Sequence, residues 1–382
     1  MVMSLLKSFK VIISAVLIAA VLSGCMNSVN LNDLKDIVVV ESTAIDLKDD
    51  KLSLIVQTLN TGSSSGSEMP QGNMTVNTED SGDTIVDAIA AMSKSLSKNL
   101  FFGQNKIIIF GNEATRSDFE KKLDYFLRSS NSRPDVAVCM SETTAKDIIE
   151  SKENDAHIPS ENIVYLLQNG QDAGVSAYVS TNDVLNLYAD KTSDIYLPVV
   201  KKEEDRDSVQ TAGIGLFDNE RLVYITDDEE TMGFLFISGK IKNCSIDFDN
   251  GDLGLASVEI SSVKAKNHVE IVDGKMVFVS EIDTQLVINE IENGIASALS
   301  QKKLEEICEN ADKEIERLCT KAFFACCENS SDSLRVGEYL ARDSPGSYRK
   351  LADEWDTYFK TVSYSVDVET HLKELSDNTQ LD

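Results

Sequence analysis

The sequence predicts an α+β fold of three domains, whose mixed or antiparallel sheets are flanked by helices, behind a leader that is cleaved. Segments with the two-residue period of strands alternate along the chain with segments of helical period, which is typical of this class. The length of 382 residues suggests more than one core, and 42% hydrophobic and 26% charged residues are ordinary globular values.

The leader has the pattern of an export signal. Lys7 and Lys10 precede an apolar run over 11–22, which is shorter than the roughly 20 residues of a membrane-spanning helix. The run leads into Leu22-Ser23-Gly24-Cys25, which resembles the lipobox of bacterial lipoproteins. This resemblance implies cleavage before Cys25 and attachment of a diacylglycerol to its sulfur, with palmitate as an acyl chain of the anchor. The alternative is an ordinary secretory signal with a chance cysteine.

The expected division of the chain follows the changes of hydrophobic period. The predicted boundaries are a signal peptide over 1–24, an N-terminal α+β domain over 25–158, a small central α+β domain over 159–244, a C-terminal α+β domain over 245–375 and a disordered tail over 376–382.

The N-terminal domain opens with a hairpin. Two apolar strands over 37–40 and 52–56 flank a charged turn, and the Gly- and Ser-rich segment 61–72 reads as a loop inside the domain. A helix that begins after Thr84 carries an apolar stripe from Ile85 to Leu100. The remaining expected elements are a central strand over 106–110, a helix over 119–127 and a strand over 136–140.

The central domain combines helices with a hairpin. Helices are predicted over 160–168, 181–189 and 228–237, and strands over 196–201, 211–217 and 221–226. The segment 240–244 is expected to pair with this hairpin as a fourth strand.

The C-terminal domain starts with long alternating strands over 253–266 and 275–288. The helical period from Glu290 onward predicts a long helix, with a break near Ser300, that packs along their sheet. Pro345 separates two shorter helices over 334–341 and 347–359, and the segment 362–372 alternates as a closing strand.

The charge balance excludes some partners. A net charge of −28 and a pI near 4.4 arise from acidic residues scattered along the whole chain. Nucleic acids and anionic membrane surfaces favour clustered Lys and Arg, so neither is an expected ligand.

The seven cysteines predict thiols rather than a disulfide framework. Cys308, Cys319 and Cys326 are 11 and 7 positions apart, which places them on nearly one face of a helix. Buried free thiols are the favoured interpretation, and a redox pair at Cys326-Cys327 is the alternative.

The sequence contains no recognisable catalytic motif. It lacks the nucleophile, phosphate-binding and zinc signatures, and His157, His268 and His371 lie far apart. We therefore predict no enzyme and no catalytic, cofactor-binding or metal residues. The single tryptophan, Trp355, is interpreted as a core anchor, with a sugar-stacking site as the alternative.

Three groups of motifs resemble the Ger(x)C family, the C-subunit lipoproteins of spore germinant receptors. The first is Leu31-Asn32-Asp33-Leu34 followed by Ala44-Ile45-Asp46, and the second spans 83–88 and 95–106 with its Phe101-Phe102-Gly103. The third, here called the late signature, comprises 332–336, Gly337-Glu338-Tyr339, Pro345, Trp355 and Phe359. The family usually has aromatic-glycine character where this chain has Leu334-Arg335-Val336.

The resemblance implies a non-catalytic lipoprotein subunit of a nutrient germinant receptor. Its expected location is the outer face of the spore inner membrane, where it is held through Cys25 and assembles with integral-membrane A and B type subunits. The alternative is a membrane-tethered solute-binding lipoprotein, in which a cleft between two similar lobes closes on a ligand.

Overall fold

The computed structural model describes residues 36–59, 75–96, 98–128, 133–151, 159–189, 191–203, 205–295 and 298–373. The strands in chain order are β1 (Ile37–Lys48), β2 (Lys51–Leu59), β3 (Thr75–Gly82), β4 (Asn99–Phe101), β5 (Ile107–Phe110), β6 (Ala137–Ser141), β7 (Tyr196–Lys202), β8 (Val209–Asp218), β9 (Arg221–Ile225), β10 (Asn243–Asp249), β11 (Leu255–Val272), β12 (Lys275–Ile291) and β13 (Ser363–Leu372). The helices are α1 (Ile85–Met92), α2 (Asn112–Thr115), α3 (Phe119–Arg128), α4 (Ala145–Ile149), α5 (Pro159–Asp172), α6 (Thr181–Ala189), α7 (Asp228–Ile237), α8 (Gln301–Glu328), α9 (Val336–Asp343), α10 (Pro345–Leu351) and α11 (Trp355–Phe359).

In the described residues, these strands form two sheets. The first sheet has nine strands in the order β3-β2-β1-β5-β6-β7-β8-β9, with β4 paired to β1. Its centre is parallel, from β1 through β5 and β6 to β7, and antiparallel hairpins extend it at both ends. The α+β class and the predicted hairpin of β1 and β2 are therefore confirmed.

The central strands of the first sheet are buried on both faces. In β5, Ile108 and Phe110 belong to one apolar core, and Ile107 and Ile109 belong to the core on the opposite face. Side chains alternate between the faces of a strand, so a strand covered on both sides needs a continuous apolar run. This is why the predicted central strand over 106–110 is correct.

The second sheet has four strands in the order β10-β11-β12-β13. The pairing is antiparallel except between β12 and β13, which are parallel. Helix α8 packs along β13 and also contacts β10 and α7. One apolar core contains residues of both sheets, from Val40 in β1 to Val368 in β13, so the two halves of the chain share their interior.

The helix expected from Thr84 to Leu100 is shorter than predicted. Thr84 caps it as expected, accepting a hydrogen bond from the Asp87 N–H at 3.1 Å, but α1 ends at Met92. Leu100 lies in β4, which pairs in parallel with Ile37–Val39 of β1. The apolar stripe continued past the helix because Leu100 packs against the same core from a strand.

The central segment does not have a sheet of its own. Strands β7, β8 and β9 continue the N-terminal sheet through the parallel pairing of β6 with β7. The expected pairing of 240–244 with the hairpin is wrong, because Cys244 in β10 pairs with Ile260 in β11. The domain boundaries drawn from the sequence stay a prediction.

The long helix begins later than its apolar pattern indicated. Glu290 and Ile291 still belong to β12, and α8 starts at Gln301 with Ser300 as its N-cap. Pro345 is the first residue of α10, as expected for a residue whose N–H is not needed there. The predicted loop over 61–72 and the tail over 376–382 lie outside the described residues.

Candidate functional site

The late signature lies at the junction of the two sheets and is organised by one carboxylate. Asp332 is 2% exposed and follows α8. Its Oδ1 accepts a hydrogen bond from the Val336 N–H at 2.7 Å. Its Oδ2 accepts from the Gly337 N–H at 2.7 Å and from Trp355 Nε1 at 2.9 Å. A single side chain thus fixes the start of α9 and the start of α11.

The segment before β7 docks onto this carboxylate loop. The Asp332 N–H donates to Asp194 Oδ2 at 2.8 Å, and the Asp194 N–H donates to the Asp332 carbonyl at 3.2 Å. Ser333 Oγ donates to the Ile195 carbonyl at 3.0 Å. The other oxygen of Asp194 accepts from the Asn219 N–H at 2.8 Å, in the turn between β8 and β9. These contacts join the first sheet to the helices that cover the second.

Burial changes the acidity of both carboxyls. Burial raises the pKa of Asp332 well above its ordinary value, against the opposing effect of its N–H donors, and nearby Asp194 adds to the rise. Burial likewise raises the pKa of Asp194 to about 6. Desolvation disfavours the ionised form, so the junction holds two carboxyls that bind protons more tightly than exposed ones.

Gly337 and Trp355 complete the junction by close packing. A Cβ atom at Gly337 would lie 2.3 Å from the Thr192 carbonyl oxygen and 2.9 Å from Trp355 Nε1. Trp355 is 7% exposed, and its ring centroid lies 6.1 Å from that of Phe359. The interpretation of Trp355 as a core anchor rather than a sugar-binding surface is therefore confirmed.

Two cavities of opposite charge flank the segment 331–336. The acidic cavity has a volume of about 430 Å³, and its walls include Glu120, Asp194, Glu220, Asp332 and Asp356. The second, here called the lysine cavity, has a volume of about 360 Å³, and its walls include Tyr196, Lys240, Asn267, Arg335 and Tyr339.

A larger groove of about 850 Å³ lies between α1 and α3, at the end of the β1–β2 hairpin. Two ion pairs lie within the groove: Lys121 Nζ lies 2.5 Å from Asp118, and Arg128 pairs with Asp124. Burial lowers the pKa of Lys122, whose ammonium donates to the Ser117 carbonyl.

The six cysteines of the described residues are free thiols, as the favoured interpretation predicted. Cys319 and Cys326 are fully buried on α8, and burial raises the pKa of each thiol. Burial also raises the pKa of Cys327, to about 12. A thiol is nucleophilic as its thiolate, so these side chains act as apolar packing groups.

The predicted lipidation site, Cys25, lies outside the described residues, as does the whole leader. Across the described ranges, no helix is both long enough and apolar enough to cross a bilayer. Within the same ranges, no three Asp, Glu, His or Cys side chains are grouped as metal ligands.

The residues that sequence reasoning missed are those of the junction. Asp194 and Asp332 are 138 positions apart, and the local pattern of neither residue indicates the other. The available signal was the late signature itself, which contains Asp332, Gly337 and Trp355.

Comparisons with known proteins agree with this architecture. The solved crystal structure of the GerBC protein matches with a TM-score of 0.58 at 18% identity, covering 87% of this chain and 96% of that one. This likeness establishes the fold.

Three proteins of Bacillus subtilis (strain 168) are similar in sequence. The chain is 24% identical to putative spore germination protein YfkR over 72% of this chain and 73% of that protein. It is 22% identical to spore germination protein KC over 92% of both chains. It is 21% identical to spore germination protein B3 over 77% of this chain and 79% of that protein.

Two family models match consecutive parts of the chain. The spore germination protein N-terminal domain matches residues 30–202, and the spore germination B3/GerAC-like C-terminal domain matches residues 212–376. Together they include the hairpin of β1 and β2, both sheets and the late signature. The chain therefore belongs to the Ger(x)C family of spore germination proteins.

Proposed function

We propose that this protein is the non-catalytic, lipid-anchored subunit of a nutrient germinant receptor. It is held through Cys25 on the outer face of the spore inner membrane and works there with integral-membrane A and B type subunits. The observation that carries the proposal is the match to both family domains in order, beginning at residue 30, shortly after Cys25.

The tether has a physical role in this proposal. One acyl chain holds a protein only marginally at a bilayer, whereas two chains on one cysteine give stable anchoring. A tethered body is confined to a thin layer near its membrane partners, and this high effective concentration strengthens even weak contacts. The anchor would therefore promote assembly without adding a contact of its own.

The non-catalytic role is supported by how the buried acids are used. The carboxylate oxygens of Asp332 and Asp194 accept five hydrogen bonds from N–H groups of the junction. Groups committed in this way hold elements together. Five of the six thiols in the described residues, all except the half-buried Cys308, are likewise packed inside and have raised pKa values.

A cysteine variant tests the anchor. In Cys25→Ala, we expect loss of acylation, loss of the protein from the spore inner-membrane fraction and a weakened germination response to nutrients. Cys308→Ala, which alters a half-buried thiol on α8, is the matched control and should behave as the unaltered protein. Membrane retention, mass and germination are measured together. Full retention and an unchanged response in Cys25→Ala would refute the anchoring role.

Purification from the membrane tests the assembly. A tagged protein solubilised from spore inner membrane in mild detergent should carry with it two integral-membrane subunits, identified by mass spectrometry. The Cys25→Ala variant should recover less of both, because its effective concentration at the membrane is lower. Recovery of the protein alone, from membranes that contain both subunits, would speak against this assembly.

A further inference from the structure

The lysine cavity contains a cation without an acidic partner. Among the described residues, Lys240 donates to Tyr196 Oη and lies 5.2 Å from the centroid of that ring, and it forms no ion pair. The chain has 64 acidic and 36 basic residues, so a half-buried lysine would ordinarily find a carboxylate. A cation kept unpaired in a cavity is a suitable partner for an anion from solution.

The same cavity contains an acceptor that is not used. Asn267 Nδ2 donates to the Ile237 carbonyl at 2.9 Å and lies 3.4 Å from Tyr339 Oη. Its Oδ1 is buried and has no hydrogen-bond partner within the described chain. An unsatisfied buried acceptor costs about 1–3 kcal/mol, and a ligand that donates a hydrogen bond to Oδ1 removes that cost.

The remaining walls define the size and charge of an occupant. Leu187, Ile237 and Leu334 supply apolar surface to a volume of about 360 Å³, near the lower end of small-molecule sites. Arg335 adds a second cation, whose guanidinium pairs with Glu338. The one carboxylate, Asp183, already accepts from the Ser180 N–H at 2.8 Å and from its hydroxyl at 2.6 Å. The cavity therefore favours an anion over a zwitterion.

We propose that the lysine cavity binds a small hydroxy acid, whose carboxylate pairs with Lys240 Nζ and whose hydroxyl donates to Asn267 Oδ1. Tyr196 lies in β7 of the first sheet and Asn267 in β11 of the second. Lys240 is held against Tyr196, so a ligand bound to Lys240 and Asn267 links the two sheets and stabilises their junction. The proposal rests on the cavity alone and does not depend on the proposed function.

Calorimetric titration of the purified chain without its leader tests the ligand class. The probes are L-lactate, L-alanine and propionate, which share a three-carbon skeleton and differ in the group beside the carboxylate, together with inorganic phosphate. We expect L-lactate to bind and raise the melting temperature. Propionate, which cannot donate to Asn267, and L-alanine, whose ammonium would lie beside that of Lys240, should bind at least about tenfold more weakly. Equal binding of all four, or no binding of lactate, overturns the proposal.

Two lysine variants locate the site. Lys240→Gln keeps a donor for Tyr196 Oη and removes the charge, and it should weaken lactate binding by about tenfold or more. Lys242→Gln is the matched control, because Lys242 is exposed and pairs with Asp172 at 3.1 Å; it should leave binding unchanged. Equal affinity of Lys240→Gln and the unaltered chain contradicts the assignment.

A measurement on the unaltered chain tests the proposal even if Lys240→Gln does not fold. Amine acetylation followed by mass spectrometry reports the reactivity of each lysine. L-lactate should protect Lys240 from acetylation and leave the acetylation of Lys242 the same as without lactate. Unchanged acetylation of Lys240 at saturating lactate would overturn the proposal.

Discussion

At the scale of single residues, Asp332 decides how the C-terminal helices meet the first sheet. Its two oxygens accept three N–H groups, from Val336, Gly337 and Trp355. Each buried donor left without an acceptor costs about 1–3 kcal/mol. The carboxylate thus contributes through geometry, since it offers acceptors in the directions that the three donors require.

We expect Asp332→Asn to lower the free energy of unfolding by about 2–4 kcal/mol, because an amide offers one acceptor oxygen to three donors. Urea unfolding followed by the fluorescence of Trp355 measures the change. Asp353→Asn is the control: Asp353 is exposed in the wall of the acidic cavity, and its variant should differ by no more than about 0.5 kcal/mol. Equal midpoints for the two variants would contradict the role of Asp332.

The backbone conformation of Arg335 was indicated only indirectly by the sequence. It has a φ of 66° at the N-cap of α9, in the left-handed region that glycine adopts at little cost. Leu334-Arg335-Val336 stands where the resemblance to the family implies aromatic-glycine character, and a non-glycine residue at this φ is uncommon. The Asp194–Asp332 contact had no such local sign, because residues 138 positions apart meet only through the fold.

At the scale of elements, the packing of α7 against α8 joins the sheets. Helix α7 buries Phe234, Leu235, Phe236 and Ile237 consecutively, which is typical of a helix enclosed on all sides. Gly233 allows the approach, since a Cβ atom there would lie 2.0 Å from the Leu318 carbonyl oxygen of α8. The two helices therefore meet with backbone against backbone.

Gly233→Ala should destabilise the protein by about 1–3 kcal/mol or more, because the added methyl group forces the helices apart. Gly346→Ala is the matched control, since a Cβ atom at Gly346 in α10 meets nothing within 4 Å. That variant should be neutral or slightly stabilising, as alanine is favoured over glycine in helices. Thermal unfolding of both variants measures the difference in melting temperature. Equal melting temperatures would exclude a close contact at Gly233.

Element types were largely predictable, and their ends were not. Period two identified β11 and β12, and period 3.6 identified α8, because each of these elements buries one face. The error at Leu100 arose because a strand residue can continue a helical stripe when both pack on one core. The error at Glu290 arose because the pairing of Ile291 with Ala256 of β11 outweighs a local helical pattern.

At the scale of the whole molecule, the two sheets share a core rather than face each other across an open cleft. Residues of β1, α7, α8 and β13 belong to one continuous apolar cluster. The sheets also differ, with nine mixed strands against four. The alternative drawn from the sequence was a pair of similar lobes that close on a solute. Such a pair would have neither a shared core nor two unlike sheets.

We expect the chain without its leader to unfold in one cooperative transition, because a shared core couples both sheets. Trp355 fluorescence reports on the C-terminal helices and far-ultraviolet circular dichroism reports on all elements, so their urea midpoints should coincide. Asp332→Asn should lower both midpoints together. Two separated transitions would show that the junction does not couple the halves.

The number of sheets could not be predicted from the sequence. Local patterns gave the strands of the central segment, yet the partner of β7 is β6, more than fifty positions earlier in the chain. The parallel connection between them passes through α4, α5 and α6, so no tight turn marks the pairing. The lipidation of Cys25 remains a prediction from the sequence, because Cys25 lies outside the described residues.

The parallel pairing of β12 with β13 has a consequence for biosynthesis. β12 ends at Ile291 and β13 begins at Ser363, so the last strand finds its neighbour after every intervening helix has been synthesised. Pairings between distant segments form slowly because a long loop must close first. A nascent chain that stops before Ser363 leaves one edge of β12 open, and an open edge invites association between chains. A chain that folds only after 363–372 has been synthesised avoids that hazard.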